Sequence, residues 1–491
     1  MKNNRRRWGT SADAILLMFI RLVTIVLGFV ITRLLSQYLS VYDYGTYSQI
    51  MLVVSTVNTL TILGMIDGVN YFYCSVPDKE RREAYISTIF ALQCIVNVIA
   101  GSLVMLLSEQ ICIHFNNPDV GELLIFSATL PLLINLLSML QVLLVSVGKA
   151  RMIAIRNLVV SLVRLGAALL VVTVVRNVMV VLLTTLVMDL AQIVFFAAIL
   201  RKNQCPIHLN RIDFRLLKDI FRYCAPMGVF TAVSALNRDI DKYLIAMMTD
   251  TETLAVYSNA SKVLPFDIVM SSFCTVLIPA ITRSIASNNR EKAAQLYKMF
   301  LEIAYISTTI LCCAALSAAP QLMELLYSEK YASGLAVFCI YILVDLLRFT
   351  NITLVLSAAG KTKTLMFFSV GALGANAVLN VLFYHLLGVP GPAVATLVTT
   401  AVLGVCIVGA SARELNVRMR NLFDLRYFTL FVGENLLAVV VFSGAQRWIP
   451  GLGVPYFLIL VGICAVYGGV MVLLNGKRLL GALKQVNRTA V

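Results

Sequence analysis

Charge is scarce in this sequence. Only 13% of its 491 residues are charged, and 59% are hydrophobic. A soluble domain carries about 25% charged residues, so a soluble enzyme or a soluble nucleic-acid-binding domain is excluded. Histidine is scarcer still. His114, His208 and His385 stand far apart and fall at loops or helix ends, where they read as solvated side chains. Eleven cysteines contain no CxxC pair, and the adjacent Cys312 and Cys313 suit neither a metal site nor an ordinary disulfide. HExxH, GxSxG and P-loop signatures are missing. No enzyme, catalytic residue, metal or cofactor is therefore expected. Any transport would draw on an ion gradient, the membrane potential or the substrate's own gradient.

Long apolar runs dominate. They fall at about 11–38, 44–73, 84–108, 120–147, 152–175, 177–200, 217–249, 253–285, 295–319, 332–358, 363–387, 390–413, 424–446 and 452–475. Each is long enough to cross the ~30 Å hydrocarbon layer as a helix. The short alternating segments of a membrane β-barrel do not occur. The expected fold is all-α and polytopic, with about 14 transmembrane helices. The basic N-terminus resembles a signal peptide, but its apolar run is too long and is interrupted by Arg21 and Arg33. It reads as a first, retained span.

A net charge of +15 raises the question of nucleic acid. The placement of the charges points to topology instead, and no nucleic-acid partner is expected. Thirty Lys and Arg, including Lys149, Arg151 and Arg156, fall in loops on one side of the predicted bilayer. Only Arg176, Lys330 and Arg447 fall on the other. This bias puts both termini in the cytoplasm.

Seven cations remain inside the spans: Arg21, Arg33, Arg164, Arg238, Lys242, Lys262 and Arg348. Charge at depth is costly and marks function by default. The densest group is the run from Asn237 to Lys242, where Arg238, Asp239, Asp241 and Lys242 share an arc of about 160° on a helix. Arg binds phosphate in bidentate fashion and Lys as a point charge. These seven are the candidate substrate-binding residues, for an anionic, amphipathic ligand such as a phosphate-bearing lipid. Snorkelling toward headgroups is the competing reading for Arg21 and Arg33, and a closed structural ion pair is the competing reading for the central group. Asp189, Asp239, Asp241, Asp267 and Asp345 either balance these cations or carry coupling protons. Asp13 and Asp67 lie near the cytoplasmic boundary.

The chain also repeats. Residues 44–48, YGTYS, parallel residues 254–258, LAVYS, 210 positions on. Residues 146–151, SVGKAR, parallel residues 358–363, AAGKTK, 212 positions on. Two landmarks at nearly one offset indicate two six-helix halves of like orientation. The expected division is 1–200 and 217–413, joined by a basic cytoplasmic linker at 201–216 that holds an amphipathic segment. Two extra helices and a tail follow at 414–491.

At these residues the chain resembles the polysaccharide-transporter, Wzx-type oligosaccharide flippase branch of the MOP (MATE-like) superfamily. The resemblance rests on YDYGTYSQI, on DIDKYLIAMM followed by AVYSNASKVL, and on SAAGKTKTLMFFSVGALGANAVLNVLFYHLLGVPGPAVAT with its paired Asn376 and Asn380. It implies two six-helix bundles in a V. It further implies translocation of undecaprenyl-pyrophosphate-linked oligosaccharides across a bacterial inner membrane, by alternating access, for O-antigen or capsule export. The partners implied are that substrate, membrane lipids, and polysaccharide polymerase and chain-length proteins, around a monomer. A MATE-type multidrug/cation antiporter and a MurJ-type lipid II flippase are the alternatives.

Overall fold

The computed structural model describes residues 20, 23–146, 150–174, 177–202, 207–267, 277, 281–282, 284–285, 287–445 and 456–489. Among them there is no strand, and nine segments are long and apolar enough to cross a membrane, with shorter apolar helices at Val23–Tyr38 and Val461–Gly476. The chain is a multi-pass helical membrane protein. It packs as two compact units, residues 1–255 and 256–491.

The N-terminal unit contains α1 (Val23–Tyr38), α2 (Val41–Ile62), α3 (Met65–Ser75), α4 (Lys79–Leu106), α5 (Ser108–Phe115), α6 (Asp119–Ser127), α7 (Leu130–Ser146), α8 (Ala150–Val174), α9 (Val178–Lys202) and α10 (Leu217–Met248). α11 (Thr251–Ala260) begins here and runs into the next unit. Side-chain caps start the helices where the sequence supplies them. Ser40 accepts from the Asp43 N–H, and Asp78 accepts from the Arg81 N–H.

The second span is split rather than continuous. Leu63 and Gly64 both take positive φ between α2 and α3. A Cβ on Gly64 would lie 2.3 Å from the Cys224 carbonyl oxygen, so glycine lets α10 approach the kink closely. Apolar packing of α3, α4, α7 and α9 forms the core. Buried amides tie it together: Asn135 donates to Asn97 Oδ1 at 3.1 Å and to Thr61 Oγ1 at 2.9 Å. In hydrocarbon such amides need partners, and here they find them in one another.

Within the linker, residues 207–216 form no α-helix. They make two short 3-10 turns held on α4, where the N–H groups of His208 and Asp213 donate to Ser87 and Thr88 hydroxyls, and Arg211 meets buried Glu83 at 2.9 Å. Backbone donors claimed by side chains of α4 are unavailable to a helical ladder. The unit division at 255/256 follows packing, with α10 lying on α2 and α3. The repeat division at 201–216 follows sequence and remains a proposal.

The C-terminal unit contains α12 (Arg290–Ser317), α13 (Ala319–Tyr327), α14 (Leu335–Leu347), α15 (Leu354–Ala358), α16 (Thr362–Leu387), α17 (Gly391–Glu414), α18 (Leu425–Ala445) and α19 (Tyr456–Thr489). α12 is its axis: apolar on nearly all faces and buried along most of its length, as a central helix must be. α18 and α19 pack on it. Arg478 on α19 stacks over the Tyr427 ring at 3.7 Å, pairs with Glu302 of α12, and meets Asp424 at 2.8 Å.

The eighth span is also interrupted. The sequence predicts one apolar run over 253–285, but α11 ends at Ala260 and residues 262–264 are not helical. Pro265 supplies the reason. It has no N–H to donate, and it disfavours helical geometry at the residue before it.

Candidate functional site

In the N-terminal unit the charged centre lies where α8 meets α9. Arg156 and Arg164 are eight residues apart on α8, about 80° apart around its axis. Asp189 and Gln192, one turn apart on α9, share a face. The two faces meet. Arg164 Nη2 donates to Asp189 Oδ1 at 2.6 Å, and Gln192 Nε2 donates to the same oxygen at 2.9 Å. Arg156 donates to Gln192 Oε1 through Nη2 and to Asn157 Oδ1 through Nη1 at 2.8 Å. Its guanidinium also covers the Phe196 ring at 4.6 Å. Asp189 is buried, whereas Arg164 keeps much of its side chain open.

On α10, Lys242 Nζ lies 2.6 Å from Asp239, within one turn. Asp241 is buried and accepts from the Lys242 N–H at 2.9 Å. Arg238 is exposed and makes no ion pair among the described residues. The predicted common face is thus divided between the interior and the surface. Arg33 is partly buried on α1.

In the C-terminal unit the site forms where the eighth span breaks after α11 and where α14 gives way to a 3-10 turn at Arg348–Asn351. Past the end of α11, the Leu264 N–H has no helical acceptor and donates to Asp345 Oδ2 at 3.0 Å. A backbone group freed at membrane depth must be satisfied by the protein, and a buried carboxylate does so here. The other oxygen of Asp345 lies 3.2 Å from Arg348 Nε. α14 stops at this point, and Arg348 opens a 3-10 turn. The two Nη groups of Arg348 have no partner among the described residues, and the side chain is partly open. Two residues before Leu264, Lys262 donates to Asn259 Oδ1 at 3.1 Å and sits over the Tyr327 ring at 5.7 Å. Lys262 and the distant Asp345–Arg348 pair are therefore linked through one strip of backbone.

Of the remaining candidates, Arg21 lies outside the described residues, as does Asp13. Asp267 ends the Pro265–Asp267 turn, and its side chain lies outside the description. Asp67 is exposed. Sequence reasoning missed Arg156, Gln192 and Asn259. Arg156 falls near the start of α8 and counts as a loop cation by position; only the Gln192 contact from α9 shows its role. Among the described residues no group of His, Cys, Asp and Glu could hold a metal ion.

The arrangement has a common chemistry. Arg164, Lys242 and Arg348 each meet one of the aspartates singled out as charge-balancing. An anion entering either unit would compete with a carboxylate for a cation that still has open donors.

The fold is shared with solved transporters. The structure of the lipid II flippase MurJ in an inward closed conformation superposes with a TM-score of 0.73 at 15% identity, over 94% of this chain and 99% of that one. An inward-facing multidrug resistance MATE transporter of the MOP superfamily gives 0.69 at 14% identity, over 81% and 98%. A MOP-superfamily transporter from Pyrococcus furiosus with a binding pocket of reversed polarity gives 0.59 at 13% identity, over 83% and 94%. These likenesses establish a MOP-superfamily fold. No curated protein matches the chain. A family profile described as "Polysaccharide biosynthesis protein" matches residues 30–336, more than half of the sequence, and the chain belongs to that polysaccharide biosynthesis family.

Proposed function

We propose that the protein translocates an anionic, undecaprenyl-pyrophosphate-linked oligosaccharide across the bacterial inner membrane, for surface polysaccharide export. The family supplies the link to polysaccharide, and the fold is one that transporters use. The observation that carries the reading is the Asp345–Arg348 pair at the broken spans. Arg348 is held in place by one donor while its two Nη groups remain for a phosphate, which planar guanidinium binds in bidentate fashion.

The cycle follows from charge exchange. Phosphate draws Arg348 toward itself, while Asp345 keeps its bond to the Leu264 N–H and so remains satisfied. Release of phosphate lets the pair re-form. Arg164 with Asp189, and Lys242 with Asp239, offer the same exchange in the N-terminal unit. Alternating access by two six-helix repeats, divided at 201–216, is the proposed framework. The helices of 414–491 are accessory, and both termini are cytoplasmic. Polymerase and chain-length proteins are the proposed partners of a monomeric transporter.

The test is Arg348→Ala and Arg238→Ala, each scored for surface glycan and for membrane insertion. Loss of glycan with normal insertion is expected. Normal glycan in both variants removes these residues from the mechanism. Cationic-drug resistance conferred by the wild type would favour the antiporter instead, and rescue of lipid II supply would favour that flippase.

A further inference from the structure

A groove runs along α8 and α9 of the N-terminal unit, separate from the broken spans. Its volume is about 650 Å³, and its walls are apolar, with Ile155, Val159, Val163, Val187 and Phe195 among them. Each of these five side chains is well exposed. Arg156 and Gln192 stand in the same wall. From Met152 to Val163 the groove follows twelve residues of helix, a rise of about 16 Å, which is roughly half of a ~30 Å hydrocarbon core. Its length is that of one leaflet.

The neighbouring ion pair leaves Arg156 out. Asp189 is engaged by Arg164 at 2.6 Å. Arg156 makes no salt bridge among the described residues; its two Nη groups meet neutral amides, and its Nε is buried with no hydrogen-bond partner. Arg164 and Asp189 lie outside the groove wall, so Arg156 is the one charged residue lining it among the described residues and gives it a single positive charge. Arg156 stands six residues into α8, about 9 Å along the helix. That is a depth from which a guanidinium snorkels to a headgroup. A single positive charge beside a one-leaflet apolar channel complements a lipid with one chain-length of hydrocarbon and one negative charge.

We propose that this groove binds an anionic bilayer phospholipid, with one acyl chain along Val159, Val163 and Val187 and its phosphodiester on Arg156. A polyprenyl pyrophosphate fits less well, because it carries more charge than the groove balances and a chain longer than one leaflet. The proposal is independent of the transport reading, since it concerns binding at equilibrium.

The experiment is native mass spectrometry of the purified full chain titrated with phosphatidylglycerol or phosphatidylethanolamine. Wild type is expected to retain one phosphatidylglycerol with about tenfold preference, the size of one charge-assisted contact. Arg156→Gln should abolish the preference, and Val163→Trp should weaken both lipids by filling the groove. Arg420→Gln, a surface change in the other unit, should leave the preference intact. Glycerophosphoglycerol, the headgroup without chains, should not compete. Equal retention of the two lipids by wild type, preference surviving in Arg156→Gln, or competition by the chainless headgroup would each overturn the proposal. Should Arg156→Gln fail to fold, Val163→Trp decides: unchanged phosphatidylglycerol retention overturns it.

Discussion

Asp189 and Asp345 are both buried aspartates within spans, one in each unit, and each holds an arginine. Their second partners differ. Asp189 takes a side-chain amide, Gln192, on its own helix. Asp345 takes a backbone N–H, Leu264, at a break in another span. The first carboxylate can exchange partners without disturbing the fold. The second is part of the fold, because without it a backbone donor at membrane depth is orphaned. The lesson is that one residue type balances charge in one unit and pins an interrupted helix in the other, so the two should respond differently to the same substitution.

Asp345→Ala should give the largest effect. It strands both Arg348 and the Leu264 N–H, and removing one member of a buried pair costs about 3–5 kcal/mol. Thermal unfolding in detergent should show a large loss, and Asp345→Asn, which keeps an acceptor for the N–H, should recover part of it. Asp189→Asn should cost less, about 1–3 kcal/mol, with greater damage to transport than to stability. Equal stability losses in the two Asn variants would erase the distinction.

Arg478→Ala comes next. It should leave the N-terminal unit unchanged and increase hydrogen exchange in α18 and α19, since Arg478 ties α19 to Glu302 of α12 and to Asp424 ahead of α18.

The smallest effect is expected at Asp250, which caps α11 by accepting from the Thr253 N–H at 2.7 Å. Asp250→Ala should cost about 1 kcal/mol. The Thr253 backbone N–H holds the Asp250 carboxyl below the ordinary aspartate range. Its contribution is therefore present above the unfolded pKa and is lost as pH falls through the folded one. The Ala variant should show no such acid-dependent component from this site.

These sites were legible to different degrees. Asp345 and Arg348 stand one turn apart, so helical spacing already puts them in reach. Asp239 and Lys242 are alike in this. Arg164 and Asp189 are each visible as charges inside spans, but their pairing depends on how α8 packs on α9, which no local pattern encodes. The break after α11 had a signal in Pro265, yet hydrophobicity alone carries an apolar run straight through it. The docking of the linker on α4 is not legible, because composition does not show that Ser87 and Thr88 claim its N–H groups. Arg156 counts as a loop cation by its place near a helix start, and only a contact from another helix distinguishes it.

The most direct measurement is flipping by the purified protein reconstituted in sealed vesicles. It compares an oligosaccharide on a polyprenyl pyrophosphate with the same glycan on an uncharged polyprenyl ether. The pyrophosphate-linked glycan should cross in wild type and fail to cross in Arg348→Ala, and the uncharged form should not move in either. Equal movement of the uncharged form, or undiminished transport by Arg348→Ala, would contradict the claim that a guanidinium held by Asp345 receives the substrate's negative charge.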